Sequence, residues 1–316
     1  MANNTREIRR RIKATENIGK ITKAMELVSA AKMRKAQAAA ISSRPYATLS
    51  AELLKNLASK ADLSNQPLMN RVIENEWDNN HFERSEKSLM KGISPVGRDG
   101  KNQKVLIVLI SSDRGLAGAF NSNVISKAIA IAKDEGASKV DFITVGRKGA
   151  DAIGRFGYNM VAAFPAKDKG ISLLDAQPIA QIAIQDYLAF KYAKVFVVYT
   201  DFVSTLVQRP NILQLLPFVE TGIGDRGSGS EEFLFEPSPD DVLETLISRT
   251  IEFAVLQSLV EAAASEHSAR MVAMRNANEA AGDLIEDLSL TFNQARQAGI
   301  TRELSEISAA KLAMEG

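Results

Sequence analysis

Two glycine-containing segments have the composition of a phosphate-binding site. Residues 111–118 follow an apolar run and precede a helical pattern, so their backbone N–H groups could hold an anion at a helix N-terminus. A structural turn between a strand and a helix is the commoner role for such a segment. Residues 222–227 match G-x-G-x-x-G, but no helical pattern follows them. A hairpin tip explains this second segment better than a dinucleotide site does.

No group of residues in the sequence predicts catalysis. The chain has no cysteine, which excludes disulfides, thiol nucleophiles and cysteine-ligated metals. Its two histidines, His81 and His267, are far apart in sequence, which argues against a histidine-based metal site. His267 falls on a helical stripe, where a packed histidine is commoner than a catalytic one. No Walker A pattern occurs, so we expect neither nucleotide hydrolysis nor a cofactor.

The two ends of the chain carry opposite charge, although the whole chain has a net charge of +1. Residues 1–44 contain eleven Lys or Arg against three Glu, a net +8, whereas residues 240–316 contain six against thirteen, a net −7. A basic end alone suggests nucleic acid or an anionic membrane surface. The opposite charges of the two ends also suggest that the ends pair with each other. Nucleic acid is the weakest of these alternatives, because no base-stacking aromatics interleave the basic residues.

The N-terminal end has the pattern of a long helix. Between residues 4 and 60 the only glycine is Gly19 and the only proline is Pro45, and good helix formers dominate. Apolar residues recur there at alternating steps of three and four, which predicts one face that packs against another helix. That predicted face consists of Ala14, Ile18, Ile21, Met25 and Val28.

The C-terminal end has a longer and more regular stripe. It begins after Pro239, has no further proline, and would be roughly 80 Å long as a helix at 1.5 Å per residue. A helix of this length has to pack on another long helix or on a partner protein. The stripe consists of Leu243, Leu246, Thr250, Phe253, Gln257, Val260, Ala264, His267, Met271, Met274, Asn278, Ala281, Ile285, Leu288, Phe292 and Ala295.

Between the two ends, strand patterns alternate with helical patterns, which predicts a small open α/β sheet. Buried strands are predicted at 104–111, 139–145, 160–164 and 194–200, and an antiparallel edge strand with two prolines at 207–218. Helices are predicted at 120–133, 148–156 and 176–192. The predicted domains are therefore a helix at 1–60, a polar excursion at 61–103, an α/β domain at 104–239 and a helix at 240–316.

Four segments of the sequence resemble the gamma subunits of rotary ATP synthases. They are KITKAMELVSAAKM at 20–33, SDRGLAGAFN at 112–121, ARMVAM at 269–274 and NQARQAGITRELSEI at 293–307. The segments stand in the order of that family. Any one of them could arise by chance, but all four together make a specific match.

The resemblance implies an antiparallel coiled coil of the N- and C-terminal helices, with a small open α/β, Rossmann-like domain between them. It also implies a non-catalytic subunit, the central rotor shaft of a proton-translocating ATP synthase. The implied partners are the alpha and beta subunits of the catalytic hexamer, the epsilon subunit and the membrane c-ring, without nucleic acid. The implied location is the cytoplasmic side of the cell inner membrane, as a peripheral protein.

The resemblance further implies which residues contact the catalytic hexamer: Met25, Lys20, Lys23, Arg296, Gln297, Thr301 and Glu303. Two other classes of function stay open from the residues alone. One is a nucleotide-binding α/β protein with helical arms, and the other is a stand-alone coiled-coil scaffold.

Overall fold

The computed structural model describes residues 2–58, 68, 104–167, 170–217 and 239–315. The segment 222–227 and, apart from Leu68, the segment 61–103 lie outside these residues. The chain divides into two compact units. We call Met1–Ala31 with Arg270–Gly316 the helix-pair unit, and Lys32–Ala269 the sheet unit.

Two long helices occupy the chain ends, as the sequence predicts. Helix α1 spans Ala2–Ala58 and continues without a break through Pro45, and helix α5 spans Pro239–Glu315. Each helix contributes residues to both units. No described helix has a stretch apolar enough to cross a lipid bilayer.

The sheet unit is built on five strands: β1 (Lys104–Ile110), β2 (Val140–Val145), β3 (Asn159–Phe164), β4 (Tyr192–Phe202) and β5 (Gln208–Leu216). Their order in the sheet is β3-β2-β1-β4-β5. Strands β3, β2, β1 and β4 are parallel, whereas β5 pairs antiparallel with β4 at one edge. The predicted open α/β sheet and its antiparallel edge strand are therefore confirmed.

Three shorter helices cover the sheet: α2 (Phe120–Asp134), α3 (Arg147–Phe156) and α4 (Leu173–Leu188). The prediction for α4 was wrong at both ends, because it placed the helix at 176–192. Ser172 and Asp175 form a capping box that starts the helix earlier, and Tyr192 already belongs to β4.

The core of the sheet unit lies on both faces of the sheet, because successive strand side chains point to opposite faces. Along β1, Leu106 and Val108 face a cluster that includes Ile247, Ile251 and Val255 of α5. The alternate β1 residues face a second cluster, formed with residues of α2, α3, β2 and β4. Its buried members are Val105, Ile107, Leu109, Val124, Ala128, Ala132, Val140, Phe142, Ile153 and Val198.

A buried carboxylate joins four of the parallel strands. Asp141 of β2 accepts hydrogen bonds from the Asn159 amide at 2.9 Å, the Tyr192 hydroxyl at 2.9 Å and the Lys104 ammonium at 3.1 Å. Burial alone would raise the pKa of Asp141, but these donors outweigh burial, and the pKa lies below its usual value. The charged group is therefore part of what holds the strands together.

Candidate functional site

In the helix-pair unit, the buried face of α1 is largely polar. Thr15, Thr22, Glu26 and Ser29 are buried, at the spacing of a heptad. The Thr15 hydroxyl donates to the carbonyl of Arg11 at 2.9 Å, and the Thr22 hydroxyl donates to the preceding turn in the same way. These hydroxyls are satisfied within their own helix, so they can be buried at little cost.

The prediction for the buried face of α1 was therefore wrong. Ala14 is exposed, Ile18, Ile21 and Val28 are 53%, 59% and 55% exposed, and Met25 is half-buried. The true face is shifted by one position and, apart from Ile8, consists of polar residues. Hydrophobic periodicity found a real stripe, but the stripe lies on the outside of the unit.

Contacts with α5 show that the two helices run antiparallel. A Cβ placed on Gly19 would lie 3.8 Å from the Cβ of Ala281 and 3.7 Å from Oδ1 of Asn278. Seven residues further along α1, the Glu26 carboxylate accepts a hydrogen bond from Nε of Arg275 at 3.2 Å. Residue numbers therefore increase along α1 in the direction in which they decrease along α5. The implied antiparallel pair is confirmed.

Glu26 forms an ion-pair group that joins the two helices of this unit. Its carboxylate is only 7% exposed and also accepts from the Lys23 ammonium at 3.0 Å. The Lys23 hydrogen bond is the main cause that lowers the pKa of Glu26, and the Arg275 hydrogen bond adds to it against the opposing effect of burial. The carboxylate therefore stays charged at neutral pH and fixes which turns of the helices meet.

The predicted stripe of α5 is confirmed. Every member with a described side chain is buried or half-buried, from Leu246 to Ala295, whereas the side chain of Leu243 lies outside the described set. His267 is among the buried members, in the sheet unit. In the described part of the chain, no cluster of His, Asp and Glu could hold a metal ion.

The structure places the seven predicted contact residues in two separate groups. Lys20 and Lys23 of α1 are exposed, and the neighbouring Met25 is half-buried. Because Glu26 contacts Arg275, this first group lies close to Arg275 along the helix pair. Arg296, Gln297, Thr301 and Glu303 are exposed on α5, and the Thr301 hydroxyl donates to the carbonyl of Gln297 at 3.0 Å. Because Arg296 lies 21 residues beyond Arg275, the groups are roughly 30 Å apart along the helix.

Sequence reasoning missed the exposed apolar side chains of the helix-pair unit as a surface feature. On α1 they follow the misassigned stripe, and on α5 they continue along the last turns, where residues 300–311 are all exposed. Contiguous exposed apolar groups usually mark an interaction surface. The larger ones are Ile18, Ile21, Leu27, Val28, Leu284, Leu290, Ile300, Leu304, Ile307 and Met314.

The candidate phosphate segment 111–118 forms a self-contained turn. The Ser112 N–H donates to Oδ1 of Asn121 at 3.1 Å, and the Asn121 amide donates to the Ser112 hydroxyl at 2.8 Å. The Ser112 hydroxyl also donates to the carbonyl of Arg114 at 2.6 Å. These bonds close the turn between β1 and α2 from within, as expected for its structural role.

The start of α3, beside this turn, is already occupied by the chain's own acceptors. The Asp113 carboxylate accepts from the N–H of Arg147 at 2.9 Å and of Ala166 at 3.2 Å, and the Ser111 hydroxyl accepts from Gly149 N–H at 2.8 Å. Gly146 has φ +90°, and a Cβ there would lie 2.3 Å from the Ser111 carbonyl oxygen. Phosphate would have to displace these side chains, which disfavours a nucleotide site here.

Comparison with known proteins gives a full-length match. The sequence model of the ATP synthase family matches residues 4–314. The ATP synthase gamma chain of Herpetosiphon aurantiacus is 40% identical over 317 residues, covering 98% of each chain. That of Akkermansia muciniphila is 36% identical over 322 residues, covering 99% of each chain.

Solved structures share the fold at lower identity. A chain of the Euglena gracilis mitochondrial ATP synthase (OSCP/F1/c-ring, rotational state 3) is similar with a TM-score of 0.64 and 19% identity, over 99% of this chain and 95% of that one. A chain of the rotor of the same enzyme in rotational state 1 has a TM-score of 0.59 and 18% identity, over 95% and 100%. At these identities the likeness concerns the fold.

Proposed function

This chain belongs to the family of ATP synthase gamma chains, and we propose that it acts as a rotor shaft that drives conformational cycling of catalytic beta subunits. The observation that supports this mechanism most directly is the outward position of the apolar stripe of α1 in the helix-pair unit. The buried face of α1 carries Thr15, Thr22, Glu26 and Ser29, with Ile8 as the one large apolar residue among residues 5–31, whereas Ile18, Ile21 and Val28 are exposed. Such an exterior is consistent with a shaft that is enclosed by other subunits.

The shaft would act through the differences between its sides. Within the helix-pair unit, residues 1–31 contain seven Lys or Arg against three Glu, a net +4, whereas residues 270–316 contain five against seven acidic residues, a net −2. A ligand shifts a conformational equilibrium only when it interacts differently with the two states. A shaft with one basic and one acidic side would present different contacts to each surrounding catalytic subunit, and would change them on rotation.

The finer assignments follow from the same proposal. We place the chain among the alpha and beta subunits of a catalytic hexamer, the epsilon subunit and a membrane c-ring, on the cytoplasmic side of the inner membrane as a peripheral subunit. The shaft itself contributes no catalytic residue in this scheme. The complex would carry the ATP synthase activity, coupled to proton transport.

Two sets of side chains are proposed to contact the hexamer. Lys20, Lys23 and Met25 would meet acidic loops of the beta subunits, because two of the three side chains are exposed cations. The second set would make polar contacts roughly 30 Å away along the shaft. It consists of Arg296, Gln297, Thr301 and Glu303, all exposed.

Affinity purification of the tagged chain from native membranes tests the assembly. We expect alpha, beta, epsilon and c-ring subunits to co-elute, and their absence would overturn the proposal. Titration of the purified chain with ATP and NAD tests the alternative that the chain is a nucleotide-binding α/β protein. Tight stoichiometric binding of either nucleotide would favour a nucleotide-binding protein.

A pair of variants tests the outward stripe. Replacement of both Ile18 and Ile21 with serine should leave the helix pair intact, because both side chains are largely exposed. It should lower the amount of assembled complex or the ratio of proton pumping to ATP hydrolysis. The matched control replaces the same two residues with leucine and should retain both. Equal behaviour of the two double variants would contradict a role for the stripe.

A further inference from the structure

We propose that the sheet unit contains a binding site for a small neutral apolar molecule of about the size of benzene. The site is a cavity of about 140 Å³ at the carboxyl edge of the parallel strands. Its lining includes Ile110 of β1, Val145 of β2, Ile179 of α4 and Leu259 of α5. All of these residues belong to the sheet unit.

The position of the cavity is the one at which open α/β sheets bind ligands. From β1 the chain proceeds to β2 and β3 on one side, and then to β4 on the other side of β1. The strand order therefore reverses at β1, and the crevice outside the carboxyl end of such a strand is the usual ligand site. The cavity is lined by Ile110 and Ser111 at this end of β1.

The usual ligand of such a crevice, a phosphate group, does not suit this one. The N–H groups at the start of α3 are already bonded to Asp113 and Ser111. The carboxyl groups of Asp175 and Glu266 line the cavity, and Asp175 forms an ion pair with Lys167. One basic side chain against two carboxylates disfavours a bound anion.

The lining and the volume together set the class of ligand. Most lining side chains are aliphatic or aromatic, including Phe120, Phe164 and Ile171. A cavity of about 150 Å³ lined by Leu, Ile and Phe can bind benzene or xenon. This cavity has a similar volume, and the remaining part of its lining is polar and consists of Ser111, Lys167, Asp175 and Glu266. A neutral molecule of that size would bury its surface without displacing any hydrogen bond described above. It would also contact α4, α5 and β1 at once, and so stabilise their packing.

Titration of the full-length chain with benzene, followed by methyl NMR, tests the site. Saturable shifts are expected at the methyl groups of Ile110, Val145, Ile179 and Leu259. At ten times the dissociation constant, benzene should raise the ratio of folded to unfolded sheet unit by about 11-fold. Shifts that do not saturate, or that spread over methyl groups away from the cavity, would overturn the proposal.

A cavity-filling variant and a second probe complete the test. Ala262 lines the cavity and is buried, so Ala262→Leu should abolish the benzene shifts, whereas Ala280→Leu on the exposed side of α5 should retain them. If Ala262→Leu fails to fold, Ala263→Leu replaces it, since Ala263 also lines the cavity. Benzene shifts that persist in the filled variant would overturn the proposal. Inorganic phosphate should shift none of these groups, and a saturable response at Gly149 N–H would show that the ligand class is wrong.

Discussion

The two units of this chain differ in how much apolar side chain they bury. In the sheet unit, the β1 residues from Val105 to Ile110 are almost completely buried and apolar. In the helix-pair unit, the buried face of α1 carries Thr15, Thr22, Glu26 and Ser29, while Ile18 and Ile21 are exposed. The first unit has the interior of an independently stable domain, whereas the second leaves large apolar groups of α1 exposed.

This difference indicates where the stability of each unit comes from. Most helix stability in proteins comes from the packing of an apolar face, and α1 contributes little apolar surface to the face that it shares with α5. Small residues such as the half-buried Gly19 and the buried Ala281 allow the helices to approach closely, but they bury little apolar area. We therefore expect the sheet unit to be stable alone and the helix-pair unit to depend on its partners.

The largest expected effect comes from the same substitution, leucine to alanine, made once in each unit. Leu106 is fully buried in the sheet unit, so Leu106→Ala should lower the free energy of unfolding by about 2–5 kcal/mol. Leu27 of α1 is 61% exposed, so Leu27→Ala should change it by no more than about 0.5 kcal/mol in the isolated chain. Urea unfolding followed by circular dichroism measures both, and equal costs would contradict the comparison.

Hydrogen exchange of the isolated chain should show the same difference without mutation. Amides of Val105–Ile110 should be protected roughly a hundredfold more than those of residues 270–295, because local opening of the helix pair costs less free energy. Exchange measured by mass spectrometry resolves the two segments. In the assembled complex, the difference in amide protection between the two segments should be smaller. Equal protection in the isolated chain would show that the helix pair is stable without partners.

A third test concerns the polar group that the sheet unit does bury. Asp141→Asn keeps the shape but loses the charge that accepts three hydrogen bonds, so it should cost about 1.5–3 kcal/mol near pH 7. The folded-state pKa of Asp141 is lowered, so its stabilisation is complete above the unfolded-state pKa of about 3.9 and is lost as the pH falls through the folded value. Unfolding measured from pH 7 to pH 3 should show the difference between the two proteins shrinking below about pH 4. A difference independent of pH would indicate a packing effect.

The smallest expected effect concerns Met25 of α1, whose side chain is half-buried. Met25→Lys would add a cation that could pair with an acidic beta loop, worth about 1–3 kcal/mol as a charge-assisted hydrogen bond. An interaction that favours one rotational state raises the barrier to leaving it. The complex should therefore assemble and hydrolyse ATP, with fewer protons pumped per ATP and a steeper temperature dependence.

Assembly and the pumping-to-hydrolysis ratio, measured in the same membranes, decide the role of Met25. Met25→Leu is the matched control and should behave as the unchanged chain. Loss of complex with an unchanged ratio would mean that Met25 only packs within the helix pair. Its role in coupling would then be rejected.

The sequence predicted the sheet unit well because buried parallel strands are continuous apolar runs. The edge strand β5 was also predictable, since its Pro210 lies opposite Thr200 at the edge of the sheet. The start of α4 was missed because the capping signal, Ser172 with Asp175, precedes the apolar pattern. The network around Asp141 was missed too, although an aspartate within an apolar strand at 140–145 was a signal for it.

The two long helices show why the candidate site was harder to predict. Periodicity identified the buried stripe of α5, because that helix packs its apolar side inward. The same reasoning misplaced the buried face of α1, because it assumes that apolar residues point into the chain's own core. Thr15 and Thr22 are buried with their hydroxyls bonded to their own helix, and hydropathy gives no sign of this. In the proposed assembly, the outward face of α1 packs against other chains, whose residues this sequence does not contain.

The end of α5 has a consequence for how the subunit enters an assembly. Residues 301–311 are helical and exposed on every side, with Leu304 and Ile307 among them. A single helix of this length is marginal in water, so much of its conformational entropy would be lost only on contact with a partner. Coupled folding and binding of this kind gives lower affinity for the area buried than a preformed surface would. The free subunit would therefore hold this segment as an ensemble, and the assembled one as a single conformation.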